Sequence, residues 1–265
     1  IGQDAALASA ALRVVNSPFY GLRAPVDTVE KAVIMLGLNA ISRLVTGVLL
    51  RQAFPRACGT LMNHFWRFSM AGAMISPLIC RELSRGDAGL AATFGLFRDC
   101  GMPAMLIMYP GYAQIFLRTI RTPGKPALDA ERLRYPVDHT QVGAEMARSW
   151  LLSQPLVDAV RYHHHVSLGT LPTHLDPETR FLIACGYAAE RLYTMAMRII
   201  CPEWQTVADW VMGELDMEEQ HFAELFWRTY VKFTSRKFVD LLFRSCELLA
   251  ICFCKTVEHR IKRIG

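Results

Sequence analysis

The sequence predicts an all-α protein, a compact multi-helix bundle with additional helices at its C-terminal end. Two observations carry this. Apolar residues recur at helical spacing between residues that start and stop helices. Strand signals are poor, with no sustained alternation of apolar and polar residues and no Asn-Gly or Asp-Gly turn. With 52% hydrophobic and 20% charged residues among 265, the composition is that of a globular chain with ample core.

The opening residues, IGQDAALASA, read as an amphipathic helix already under way, without the basic start and long apolar centre of a signal peptide. In NSPFYGL, Asn16 and Ser17 have short side chains suited to bonding the backbone where a helix gives way to a loop. Pro18 disfavours a helical Ser17, and Gly21 suits a positive φ. Asp27, with Glu30 three residues on, caps a helix striped by Val29, Val33 and Leu36 and ended by Gly37. Asn39 caps the next, AISRLVTGVLLRQAF, which Pro55 stops.

HFWRFSMAGAMIS begins a third helix that continues past Pro77 with a kink. Asp87 caps the helix carrying Arg98 and Asp99, which Gly101 and Pro103 are expected to close. RTPGKPALD, 121–129, reads as an exposed loop, and TLPTHLDPE, 170–178, as another. Asp138, with Gln141 three residues later, starts a helix at His139, and Pro155 suits the first turn of PLVDAVRYHHH. Residues 178–199 and about 204–258 read as helical. The expected organisation is one helical domain over 1–200, with residues 201–265 a helical extension packed on it.

No apolar run reaches the roughly 20 residues of a membrane span without a Pro or a charge, so no membrane span is expected. The eight cysteines lie mostly in apolar segments, and Cys252 and Cys254 form C-x-C rather than the zinc-type C-x2-C. Reduced, buried thiols and a cytoplasmic location are expected. The net charge of +5 is diffuse: residues 1–130 carry 13 basic and 7 acidic groups, against 16 and 17 beyond. With no block of like charges, the sequence does not point to nucleic acid as a partner.

Arg98 and Asp99 interrupt AATFGLFRDCGMPAMLIM, the most apolar stretch of the chain. Isolated charges there would cost several kcal/mol, so a partner or a function is required. In PLVDAVRYHHH, Leu156, Val160 and His163 recur at i, i+4, i+7, and His164 follows Val160 by four, so both histidines can face the core. His139 lies in the first turn of its own helix. A carboxylate with inward histidines from several helices is what a metallohydrolase uses to hold a divalent ion and activate water. Satisfied histidines near helix ends, where a cation is favoured at the C-terminus, give the same pattern.

LASAALRVVNSPFYGLRAPVDTVEKAVIMLGLNAISRLV resembles the opening of the HDOD domain, a bacterial regulatory branch of the HD superfamily with the pattern L-R-x-x-N-S…Y-G…A-x-x-x-L-G. The likeness continues through FWRFSMAGA, AATFGLFRDCGM, HTQVGAEMARSW and AVRYHHH, in order over about residues 4–195. It implies a compact helical bundle whose first helix would precede Ile1.

In active HD phosphohydrolases a first metal-binding His lies on the helix matching FWRFSM, and here that position is Phe68. The His-Asp pair that follows is Arg98–Asp99. A last Asp belongs on the helix matching FLIACGYAAERLY, which has none; Cys185 and Gly186 are nearest. Only Asp99 of that set matches plainly, while His139, His163 and His164 match positions that carry histidines in some HD branches. Arginine has no lone pair for a metal and remains protonated. Arg98 is therefore expected either to occupy metal space beside Asp99 or another carboxylate, or to pack its stem while its head reaches water.

The expectation is a non-catalytic signalling module acting through other signalling proteins, with no metal or other cofactor. Its vestigial pocket of Phe68, Arg98, Asp99, His139, His163 and His164 could hold a small anion or nucleotide. The alternatives are a metal-dependent phosphohydrolase of nucleotides and a DNA-binding regulator using Arg43 and Arg51 near LGLN, 36–39.

Overall fold

The computed structural model describes residues 59–121 and 124–234, a helical segment at 31–37, and the single residues 15, 26 and 28. Asn16, Ser17, Gly21, Asp27, Arg43 and Arg51 lie outside the described residues, as does everything after residue 234. The chain divides into two units, Phe54–Tyr230 and the combination of Ile1–Ala53 with Val231–Gly265. In the second of these, the Thr28 hydroxyl accepts from the Lys31 N–H at the start of the helical segment. Gly37, at φ +73°, ends it.

Ten helices are described, and no strand occurs among the described residues: α1 (Gly59–Leu83), α2 (Ala88–Phe97), α3 (Gly101–Met108), α4 (Tyr112–Arg121), α5 (Lys125–Arg132), α6 (His139–Ser149), α7 (Gln154–Tyr162), α8 (Pro177–Ala196), α9 (Trp204–Leu215) and α10 (Glu219–Thr234). The all-α expectation holds. α8 is the centre of the Phe54–Tyr230 unit. Its start is fixed by Asp176, which accepts from the Thr179 N–H, and by Pro177 in the first turn. From Phe181 to Ala189 every residue is buried, because α1, α2, α7 and α9 all pack against it.

Three differences from the sequence reading have local causes. Gly101 and Pro103 open α3 instead of closing α2, since a Pro in a first turn forfeits no helical hydrogen bond. Lys125–Arg132 is helical, not loop: Gly124 takes φ +81° before it, and Ala127, Leu128 and Glu131 bury one face. The long helix expected from 204 onwards breaks at Asp216, which adopts φ 50° and ψ 50°, a left-handed conformation that Asp tolerates. Ala88–Met108 as a single run has the length and hydropathy of a membrane span. The Arg98–Cys100 turn divides it into two helices that lie largely in the core.

Two glycine contacts set the spacing around that turn. A Cβ on Gly95 would fall 2.3 Å from the Gly72 carbonyl carbon, so α1 and α2 meet backbone to backbone. One on Gly101 would fall 1.9 Å from the His139 carbonyl oxygen, so the start of α3 lies directly on the start of α6. Gly95→Ala and Gly101→Ala should each lower stability by about 1–3 kcal/mol or more through overpacking. Gly213→Ala, whose new methyl meets nothing within 4 Å, should be neutral or stabilising. Urea unfolding midpoints of the three variants check this.

Candidate functional site

The site lies where the α2–α3 turn, the start of α6, the end of α7 and the middle of α8 converge. Arg98 is the first residue past α2, its N–H still donating to Phe94 O. Its guanidinium donates through Nε to Asp99 Oδ2 at 3.0 Å. Nη1 lies 2.8 Å from Glu190 Oε2 on α8 and 3.5 Å from Gly186 O. The side chains of Arg98, Asp99 and Glu190 are 13%, 19% and 8% exposed, so the three charges are largely out of water. Against burial, which would raise it, Arg98 holds the Asp99 carboxyl well below its usual range, helped by His163 and His139. Burial raises the Glu190 pKa even with Arg98 beside it.

Phe68, on α1, packs its ring edge-on against Tyr193 with centroids 5.1 Å apart. Together with Gly72, Gly95, Arg98, Asp99 and Glu190 it lines a cavity of about 10 Å³. That is about the smallest space able to hold one water molecule.

Across Asp99 stand the histidines. Asp138 caps α6 through the Thr140 and Gln141 N–H groups, and the Gln141 side chain returns to the Asp138 N–H, completing the expected capping box. This places His139 in the first helical position, fully buried, with Nε2 3.7 Å from Asp99 Oδ1. Its other ring nitrogen meets Glu131 on α5 at 2.9 Å, and the Tyr112 hydroxyl donates to the same carboxylate at 2.6 Å. Burial opposes a charge on His139, but Glu131 and then Asp99 favour its proton and raise its pKa to about 9. His163 and His164 leave the end of α7. His163 Nδ1 donates to Val160 O at 2.8 Å, and its Nε2 lies 3.3 Å from Asp99 Oδ1. His164 Nδ1 meets Glu203 Oε1 at 2.9 Å, and the Tyr187 hydroxyl donates to that oxygen at 3.1 Å. Burial, followed by the neighbouring histidines, pushes His163 down to about 4 and His164 to about 3.

The structure thus brings together Phe68, Arg98, Asp99, His139, His163 and His164, with the ligand atoms of Asp99 and the three histidines all within 4.8 Å of one another. Sequence reading missed the carboxylates that support them. Glu190 is on the helix searched for an Asp, one turn beyond Gly186, and a search for any carboxylate there would have found it. Glu131 and Glu203 carry no local signal, because their partners are set by tertiary contact.

A helical bundle that gathers Asp99 and several histidines at one crossing of helices is similar to the HD superfamily. The match to the HDOD domain family runs over residues 1–166, and the chain belongs to that family. Its fold is shared with a crystallised HDOD domain protein of unknown function from Geobacter sulfurreducens, at 19% identity, 90% of this chain, 82% of that chain and TM-score 0.66. A presumed phosphohydrolase from Shewanella amazonensis SB2B gives TM-score 0.66 at 19% identity over 91% of this chain and 83% of its own. A presumed signal transduction protein from Marinobacter aquaeolei VT8 gives 0.68 at 18% identity over 94% and 53%. In sequence, the chain is 24% identical over 172 residues to an uncharacterized protein of Treponema pallidum (strain Nichols). That match covers 63% of this chain and about a third (32%) of the relative's length.

Removing the guanidinium would leave Asp99 and Glu190 facing each other without a cation. Arg98→Ala should therefore cost about 3–5 kcal/mol, the usual penalty for breaking a buried pair. Arg98→Lys, which keeps the charge but not the fork-shaped donors, should cost less. Chemical unfolding of both variants measures it, and an Arg98→Ala midpoint equal to the parent's would mean that the pair contributes nothing.

Proposed function

We propose that this HDOD domain is a non-catalytic regulatory module that acts through contacts with other signalling proteins in the cytoplasm. The observation that supports it most is the Arg98 guanidinium bound between Asp99 and Glu190. In an HD hydrolase the residue before the Asp lends a lone pair to a metal ion; an arginine has none, and here its charge is spent on two carboxylates. Phe68 takes the place of a first histidine, and the cavity it lines, about 10 Å³, has no room for a nucleotide.

A second reading, a metal-dependent phosphohydrolase, draws on the proximity of Asp99 to His139, His163 and His164. Against it stands the burial of all three histidines.

Hydrolysis of nucleoside monophosphates and cyclic dinucleotides should stay at buffer background with Mn2+ present. The same should hold for Arg98→His, which restores the dipeptide but not the remaining ligands. Turnover by the parent would overturn the non-catalytic reading. Turnover by Arg98→His alone would place the site one substitution from catalysis.

A further inference from the structure

Within the Phe54–Tyr230 unit α1 packs along α8, and contacts at two points fix how they lie. Phe68 on α1 meets Tyr193 on α8, with ring centroids 5.1 Å apart. Just past the other end of α1, the Arg85 guanidinium lies 4.8 Å over the Phe181 ring. A Cβ on Gly86 would fall 2.1 Å from Cε1 of that same ring. The two helices are therefore antiparallel, and Cys80 and Cys185 stand between these contacts, one on each helix. Both are buried, at 3% and 0% exposure, and both are free thiols in this structure.

The two thiols meet across the helix interface. The Cys185 S–H donates to the Cys80 sulfur, and this bond holds the Cys80 pKa below the ordinary thiol value against the effect of burial. The same bond, reinforced by burial, raises Cys185 well above it. The other described cysteines differ. Cys100 donates to Gly143 O at 3.7 Å, and burial raises both Cys100 and Cys201. Thiolate character is what makes a cysteine reactive, and an adjacent thiol is what carries its oxidised form on to a disulfide.

We propose that Cys80 and Cys185 are a redox pair, which a peroxide converts to an intrachain disulfide joining α1 to α8. The Cys80 thiolate attacks one peroxide oxygen, the O–O bond breaks, and the departing hydroxide takes a proton to leave as water. Cys80 is then a sulfenic acid. The Cys185 sulfur attacks the Cys80 sulfur, the S–O bond breaks, and a second water departs with the Cys185 proton. Two electrons pass from the two thiols to the peroxide, and thiol–disulfide exchange with a dithiol returns them.

Access comes from the end of α1. Residues 84–87 are exposed, and Ser84 and Gly86 take φ of 47° and 75°, so regular helix cannot continue there. Loosening of the last turn of α1 is enough to admit a molecule little larger than water to Cys80. The bond so formed would tie the helix of Phe68 to the helix of Glu190 across a long stretch of chain. The pair goes beyond the regulatory reading and does not rest on it.

The test treats the folded full chain with a small excess of hydrogen peroxide, blocks the remaining thiols and maps the non-reduced peptides by mass spectrometry. We expect two of the eight thiols to be lost, with one cross-linked species joining Cys80 to Cys185 that dithiothreitol reverses. Cys252→Ser/Cys254→Ser should still form it. Cys185→Ser should leave Cys80 as a sulfenic acid trapped by dimedone. Cys80→Ser should consume peroxide about tenfold more slowly or less readily still. Both thiols left free after prolonged exposure would overturn the proposal. So would Cys80 or Cys185 found bonded to a different cysteine or to a second chain. Should a serine variant fail to fold, the parent decides: a cross-link that forms in urea and not in the native protein would sink the idea.

Discussion

A guanidinium gripped by carboxylates inside a helical bundle dictates what can be packed around it. Moving an ion from water into a protein interior costs several kcal/mol after relaxation, and only close, directional pairing offsets this. Arg98 meets that condition by reaching Asp99 beside it in sequence and Glu190 across the bundle. The consequence is a fixed relation between the α2–α3 turn and α8. Gly72 and Gly95 allow the approach from the α1 side, and Phe68 closes the remaining space with an aromatic ring.

Asp99 then divides two kinds of chemistry. On one side it belongs to a permanent cation that no physiological pH neutralises. On the other it faces titratable imidazoles, each steered by an acceptor behind it. The same side chain thus joins a permanent ion pair to a set of buried imidazoles. The groups on the two faces of this one carboxylate come from different helices, α8 on one side and α6 and the end of α7 on the other.

Much of the fold was legible because its signals are local. Asp87 and Asp138 cap the helices that follow them, and Asp138 with Gln141 forms the box that its spacing indicates. The failures are also local in origin. Pro103 and Gly101 read as a stop because the same residues favour a first turn and a termination. The polar look of RTPGKPALD hid a one-sided apolar face ending in Glu131. Within the site, the residues on regular helical spacing, His163 and His164, were found. Tyr112, Glu131, Tyr187, Glu190 and Glu203 were not, because nothing nearby in sequence tells a carboxylate or a phenol which buried ring it will meet. The Asn-Ser-Pro motif near residue 16 lies outside the described residues.

The α8 helix carries one further implication, which concerns how the chain acquires its structure. Arg98 and Asp99 pair as sequence neighbours, but Glu190 and Glu203 meet Arg98 and His164 only across long stretches of chain. Glu190 and Glu203 keep their hydration until the distant partner arrives, and closing loops of that length costs entropy before any contact returns it. Dehydration of the acids and docking of α8 must then occur together. A partly assembled bundle would have to expose either the apolar flanks of α8 or a row of stripped charges. Both are costly, and this linkage favours all-or-none melting of the Phe54–Tyr230 unit over stepwise fraying.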